Sequence, residues 1–288
     1  MKKILLFIII AVHIHAQNAV VPILYSHGIA DTFKQAFMYA RSYTYDNHTY
    51  ENKRYLFPGP FATFNYPDAT ESPLRVNRYE TSFGQKNEID RLYKVYKKFS
   101  KRCLKEYKSS DIILFGMSRG ASNVLIFAGL YNLSNIKAII AESPYDSMSD
   151  VIENAMIKNN VSWMPLSYGE SIAEFIFKKY IRTGMSPARI AAAIDKNIPI
   201  LISCSLEDTL VPYSTSLKIY KRLRASGHDK AHIFILEHGR HSKLLSGPDG
   251  DKYQEVVHAF YKAYGLPNDP DLARRGKKQF TQTQPNIE

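Results

Sequence analysis

The sequence predicts a single α/β domain built on a mostly parallel sheet of about six strands, with helices on both faces. Short apolar runs alternate with longer segments whose apolar residues recur at helical spacing. Some of these runs, such as residues 112–115, are apolar at every position, which is typical of strands buried on both faces of a parallel sheet. The chain has 288 residues, enough for one large domain of this class.

Residues 1–16 have the pattern of a cleavable signal peptide. A Lys-Lys pair precedes an apolar run over residues 4–12, and Ala16 offers a small residue for cleavage. The apolar run is shorter than a membrane-spanning helix, although an uncleaved membrane anchor is the alternative. We therefore predict a secreted or periplasmic protein that starts at Gln17 and has no stable insertion in the membrane once the leader is removed.

The predicted main domain covers residues 17–265, and its elements alternate along the chain. The predicted strands lie within 20–25, 61–68, 110–115, 136–141, 198–204 and 230–236. The predicted helices lie within 31–40, 87–107, 121–130, 148–157, 172–181, 187–194, 214–225 and 252–264. Proline, glycine and aromatic residues predict a loop over 43–60. Residues 266–288 are polar and predict a loose C-terminal tail.

Three of the predicted helices form an insertion at about residues 146–196, directly after the strand 136–141. An insertion at this point is expected to act as a helical cap over the mouth of the sheet. Trp163 and its apolar neighbours would then line a pocket for an acyl group or a side chain. The alternative is that these helices add only ordinary packing.

A candidate nucleophile lies in the pattern Gly116-x-Ser118-x-Gly120. An apolar strand comes before the pattern and small residues that open a helix come after it. This context predicts a sharp strand-to-helix turn with an exposed serine hydroxyl at its tip. The two glycines would stand where the backbone leaves no room for a side chain. The alternative is a structural serine in a glycine-rich turn.

A second strand-to-helix turn lies upstream, where His27-Gly28-Ile29 follows the strand 20–25. An acyl hydrolase needs two backbone N–H donors for the oxyanion that forms during acyl transfer. The predicted donors are the N–H groups of Ile29 and of Arg119, the residue after the candidate nucleophile. We interpret His27 as a hydrogen-bonding turn residue. The alternative is an ordinary turn without a catalytic role.

A serine hydroxyl becomes a useful nucleophile when a base removes its proton and a carboxylate orients that base. The predicted base is His241 and the predicted acid is Asp208, and each follows the end of a predicted strand. The carboxyl ends of parallel strands meet at one edge of the sheet, so these residues should converge. Two alternatives remain open, namely His238 as the base and Glu142 as the acid.

The chain order Ser118, Asp208, His241, with the segments 141–148 (AESPYDSM) and 206–212 (LEDTLVP), resembles the α/β-hydrolase superfamily. The two segments are similar to those of single-domain relatives of prolyl oligopeptidase and the serine aminopeptidases. The resemblance implies an α/β-hydrolase fold and hydrolysis of an ester, thioester or amide through an acyl-enzyme. One departure is that the first two antiparallel strands usual in the fold are missing, so we expect a sheet trimmed at that edge.

The expected function is therefore that of a secreted serine hydrolase acting on a small-molecule or peptide acyl substrate. A non-catalytic binding protein on the same fold is the alternative. The net charge of +11 comes from cations scattered along the chain, with one small cluster at residues 274–278. No nucleic-acid-binding motif accompanies this charge, so we predict no nucleic-acid partner.

No cofactor and no metal are predicted. His238-x-x-His241 has the spacing of a metal-ligand pair, but no motif supplies a third ligand. Cys103 and Cys204 are the two cysteines of the chain. They should lie at opposite ends of the sheet, so we expect buried free thiols, with a disulfide between them as the alternative.

Overall fold

A six-stranded parallel sheet forms the centre of the protein. The computed structural model describes residues 20–70, 77, 79–81, 83, 86–182 and 184–284. Its strands are β1 (Ile23–Ser26), β2 (Ser42–Tyr45), β3 (His48–Glu51), β4 (Phe61–Thr63), β5 (Ile112–Met117), β6 (Ile136–Glu142), β7 (Ile200–Ser205) and β8 (Ala231–Leu236). The central sheet has the order β4-β1-β5-β6-β7-β8, and every neighbouring pair is parallel. This confirms the predicted α/β-hydrolase fold class.

Helices lie on both sides of the sheet. The α-helices of the described chain are α1 (Lys86–Tyr107), α2 (Arg119–Tyr131), α3 (Met148–Lys158), α4 (Leu166–Ile176), α5 (Pro187–Ile190), α6 (Tyr213–Ala225), α7 (Gly250–Ala263) and α8 (Pro270–Phe280). Short 3-10 helices cover Phe33–Tyr39 and Ala191–Ala193. The first of these is capped by the Thr32 side chain, which accepts a hydrogen bond from the Lys34 N–H.

The consecutive apolar residues of the central strands supply two separate cores. On β5, Ile112 and Leu114 face one core, and Ile113 and Phe115 face the other, because successive side chains of a strand point to opposite faces. Helices α1, α2 and α6 cover the first face, and α7 covers the second. Because helices cover both faces of the sheet, the loops at its carboxyl edge are the part left to carry a site.

Helices α3, α4 and α5 follow β6 and precede β7 in the chain, and we call these three helices the cap. The cap touches two of the loops at the carboxyl edge of the sheet. In α3, the Asn154 side chain donates hydrogen bonds to the carbonyl oxygens of Thr209 (3.0 Å) and Leu210 (3.2 Å). On the other side, Ile29 packs against an apolar cluster that includes Ala173 of α4.

The prediction of a loop over 43–60 is wrong in its first part, which contains the hairpin of β2 and β3. Asp46 and Asn47 connect the strands with φ values of 51° and 62°, the two left-handed residues that a tight hairpin turn requires. The Tyr43 ring stacks on Phe37 with centroids 4.6 Å apart and on Tyr50 at 5.0 Å. Aromatic packing on the main domain thus holds a hairpin that its polar composition conceals.

The prediction of a loose C-terminal tail is wrong over helix α8. Its few buried residues, such as Leu272 and Ala273, face inward, whereas its many cations lie on the exposed side. Gly276 permits a close approach to α7, because a Cβ there would lie 2.0 Å from the Glu255 carbonyl oxygen. Beyond the helix, the Thr283 carbonyl accepts a hydrogen bond from the backbone of β8 at 2.7 Å.

Cys103 and Cys204 are buried free thiols, as expected. Burial raises the pKa of each thiol to about 12, so both remain protonated and unreactive. The predicted signal peptide lies outside the described residues. Within the described part of the chain, no helix is long and apolar enough to cross a membrane.

Candidate active site

Ser118 lies at the tip of a sharp turn between β5 and α2. Its backbone has φ 54° and ψ −121°, a conformation that is strained for a residue with a side chain. A Cβ on Gly116 would lie 2.3 Å from the Gly120 carbonyl oxygen, and one on Gly120 would lie 1.9 Å from the Ser26 carbonyl oxygen. Both glycines are therefore required for the turn to close against its neighbours, and the turn has the form that the sequence pattern predicts.

His241 contacts both Ser118 and Asp208 through its two ring nitrogens. The distance from His241 Nε2 to Ser118 Oγ is 2.9 Å, and that from His241 Nδ1 to Asp208 Oδ2 is 2.7 Å. The second carboxylate oxygen of Asp208 accepts the backbone N–H groups of Leu210 and Val211, both at 2.9 Å. These bonds hold the carboxylate toward the imidazole.

The contacts of His241 also decide where its proton lies. An ionised carboxylate only accepts hydrogen bonds, so Asp208 requires the proton of the neutral imidazole on Nδ1. His241 Nε2 is then free to accept the Ser118 hydroxyl proton. The Asp208 side chain is fully buried and that of His241 is 13% exposed, so water competes little for these bonds. The arrangement can remove a proton from Ser118 as its oxygen attacks a carbonyl carbon.

The two alternative residues make other contacts. Glu142 is fully buried, and its carboxyl oxygens accept hydrogen bonds from the Tyr39 and Tyr253 hydroxyls, both at 3.0 Å. Burial raises the pKa of Glu142 to about 7, against the lowering effect of the two tyrosines. His238 is half exposed, and its Nδ1 lies 2.9 Å from Glu207 Oε1. Glu142 contacts Ser118 only through its backbone carbonyl, which accepts the Ser118 N–H at 2.7 Å. The side chains of Glu142 and His238 are bonded to these other partners and not to the Ser118 hydroxyl.

The two predicted oxyanion donors both border Ser118. A Cβ on Gly28 would lie 3.4 Å from Ser118 Cβ and 2.7 Å from Met117 Cε. Gly28 therefore packs against the serine, and Ile29 is the next residue in the chain. Arg119 is the first residue of α2, and the leading N–H groups of a helix have no partner within it. The loop of Gly28 and the first turn of α2 therefore both lie beside Ser118.

A buried ionic cluster, which the sequence patterns do not indicate, lies beside the turn. The Arg119 side chain is 1% exposed and its Nη1 contacts Asp68 Oδ2 and Glu88 Oε1 at 2.5 and 3.2 Å. Burial alone would lower the pKa of the guanidinium, but the charges of Glu88 and Asp68 outweigh burial and raise it. The available signal was a charged residue at the start of an otherwise apolar helix, since such a charge must find partners when it is buried.

The expectation that Trp163 lines an acyl pocket is wrong, because its side chain is 80% exposed. The cap reaches the site through Ile29 instead, which packs with Met148 and Ile152 of α3 against the apolar cluster that contains Ala173.

In the described residues, no group of three His, Cys, Asp or Glu side chains could hold a metal ion.

Solved structures with known functions share this fold. The acylaminoacyl peptidase of Pyrococcus horikoshii is 17% identical with a TM-score of 0.62, over 91% of this chain and 40% of that protein. The esterase Pf2001 of Pyrococcus furiosus is 18% identical with a TM-score of 0.55, over 84% of this chain and 83% of the esterase. Likeness at these identities is evidence for the fold.

A curated relative is YfhR of Escherichia coli K12, which is described as an uncharacterized protein. It is 28% identical over 147 residues, and the match covers 51% of this chain and 43% of YfhR. The family model of the prolyl oligopeptidase family matches residues 84–265, which is more than half of the chain and includes Ser118, Asp208 and His241. The chain has the α/β-hydrolase fold, and it belongs to the prolyl oligopeptidase family.

Proposed function

We propose that Ser118, His241 and Asp208 form a catalytic triad that hydrolyses an ester or amide bond through an acyl-enzyme. The observation that carries this proposal is the bridging position of His241, whose two ring nitrogens lie 2.9 Å from Ser118 Oγ and 2.7 Å from Asp208 Oδ2. Such a bridge lets one imidazole take a proton from the serine while the carboxylate stabilises the resulting cation.

The proposed reaction has two halves. As Ser118 Oγ attacks the acyl carbon, its proton moves to His241 Nε2, and the carbonyl oxygen becomes an oxyanion held by the N–H groups of Ile29 and Arg119. The leaving alcohol or amine takes the proton from His241 as the C–O or C–N bond breaks. Water then repeats these steps on the acyl-enzyme and releases the acid with a restored Ser118 hydroxyl.

The substrate is proposed to be a small-molecule or peptide acyl compound. The names of the similar structures describe both an esterase and an acylaminoacyl peptidase, and one triad serves both reactions. A panel of acyl-nitrophenyl esters and aminoacyl-arylamides separates the two classes. We also propose export by the predicted signal peptide, and N-terminal sequencing should give Gln17. An intact Met1 in a cytosolic fraction would contradict export.

The test of the proposed nucleophile is labelling by a fluorophosphonate probe, which reacts with activated serines. Wild-type protein should take up one probe per chain at Ser118, and Ser118→Ala should take up none. Ser246→Ala is the matched control, because Ser246 is exposed and lies outside the site. An unlabelled wild type that binds acyl compounds without turnover would favour the alternative of a non-catalytic binding protein.

A further inference from the structure

We propose that the Arg119 side chain, together with His27, is a positioning group that orients the Gly28–Ile29 peptide and thereby aims the Ile29 N–H at the oxyanion. This inference rests on the proposed function, since it concerns the same site. It gives the side chain of Arg119 a role distinct from that of its own backbone N–H.

The Gly28 carbonyl oxygen has two side-chain partners. His27 Nδ1 lies 2.7 Å from this oxygen, and Arg119 Nη2 donates to it at 3.1 Å. The described residues contain no cis peptide bond. In a trans peptide the C=O and the following N–H point in opposite directions. Two donors that hold the Gly28 oxygen therefore also fix the direction of the Ile29 N–H.

The hydrogen bonds and the burial of His27 determine where its proton lies. The Tyr66 backbone N–H donates to His27 Nε2 at 3.1 Å, so this nitrogen carries no proton. Burial, followed by the nearby charge of Arg119, lowers the pKa of His27 to about 3, and the ring is neutral. Its single proton must then lie on Nδ1, where it is donated to the Gly28 oxygen.

Buried partners hold the Arg119 side chain in place. Asp68 and Glu88 hold Nη1, while the guanidinium lies 4.5 Å from the centroid of the Tyr66 ring. These partners come from two segments of the chain, the stretch after β4 and helix α1, and all of them are buried. The Nη2 atom that reaches Gly28 is thus fixed by the fold, which is what a preorganised oxyanion site needs.

The test compares variants that keep the backbone N–H of residue 119. Arg119→Lys retains a positive charge beside Asp68 and Glu88 but loses the forked geometry that spans them and the Gly28 oxygen. His27→Ala removes the other donor, and His27→Asn restores a donor at the same distance along the side chain. The matched control is Arg102→Lys, since Arg102 pairs with Glu106 on the surface of α1.

Each variant is assayed with the best nitrophenyl ester of the wild type and with the matching thionoester. Sulfur accepts hydrogen bonds weakly, so the ratio of ester to thionoester turnover reports on the oxyanion donors. Arg119→Lys and His27→Ala should each lower kcat for the ester by about tenfold to hundredfold. KM should stay within about threefold, the ester-to-thionoester ratio should fall in parallel with kcat, and His27→Asn should recover most of the loss.

Equal losses on both substrates, with an unchanged ratio, would mean that the cluster is only structural and would overturn the inference. Wild-type kcat in both variants would also overturn it. If Arg119→Lys does not fold, the comparison of His27→Ala with His27→Asn decides the matter alone. Ser118→Ala separates the two levels, because normal turnover in that variant removes the proposed function itself.

Discussion

Replacing Glu142 with glutamine should flatten the dependence of the protein's stability on pH. Glu142 is fully buried at the end of β6, and burial raises the pKa of its carboxyl from the ordinary 4.5 to about 7. At a pH between these two pKa values, Glu142 is protonated in the folded chain and ionised in the unfolded chain. The free energy of unfolding therefore falls as the pH rises from 4.5 through about 7, and it is highest below the unfolded pKa.

The size of this effect follows from the two pKa values. Each pH unit over which the folded state holds one extra proton is worth about 1.4 kcal/mol. The interval from 4.5 to about 7 therefore corresponds to roughly 3 kcal/mol. Glutamine at this position has no proton to release. The variant should gain roughly 3 kcal/mol relative to the wild type between pH 4.5 and pH 8, whatever other groups contribute to both profiles.

The assay is urea unfolding of both proteins at several pH values over this range. Glu153→Gln on the exposed face of α3 is the control, and it should follow the wild-type profile. Because Glu142 bonds to Tyr39 and Tyr253 and not to His241, turnover in Glu142→Gln should stay within about tenfold of the wild type. A difference between variant and wild type that does not change with pH would refute the argument from burial.

Three further predictions concern the turn and the triad. Asp208→Asn should lower kcat by on the order of 10³ or more with little change in melting temperature, because a neutral amide no longer orients the imidazole or stabilises its cation. Normal turnover in Asp208→Asn, together with a large loss of turnover in Glu142→Gln, would identify Glu142 at the end of β6 as the acid. His238→Ala should keep turnover within about threefold of the wild type, since its exposed ring pairs with Glu207, and a loss like that of His241→Ala would reverse the assignment of the base. Gly120→Ala should lower the free energy of unfolding by about 3 kcal/mol or more, because its Cβ would lie 1.9 Å from the Ser26 carbonyl oxygen. Wild-type stability of this variant in urea unfolding would show that the turn has room to adjust.

The sheet could be predicted because its strands are buried on both faces and leave a continuous apolar signal. The runs at 112–115 and 136–141 needed no knowledge of their neighbours. Parallel topology then brought Ser118, Asp208 and His241 to one edge, since each follows the carboxyl end of a strand. The convergence of residues 123 and 33 positions apart along the chain was therefore within reach of sequence reasoning.

Features that depend on partners distant in the sequence could not be predicted. Arg119 pairs with Asp68 and Glu88, which lie 51 and 31 positions away in the chain. No local sequence pattern indicates these ion pairs. Helix α8 buries only a few small and apolar residues among many cations, so its polar composition conceals an amphipathic helix. The position of Trp163 in the insertion predicts a place in the pocket, yet the turn between α3 and α4 leaves its side chain exposed.

The central claim is that Ser118 and His241 act together as nucleophile and base. Its most direct test is kcat in Ser118→Ala, His241→Ala and the double variant, measured on the same ester with folding checked by circular dichroism. Each single variant should lose on the order of 10⁴ in kcat, and the double variant should be scarcely worse than either, because the two groups work as a unit. Near-normal turnover in Ser118→Ala, or losses that multiply in the double variant, would contradict the account.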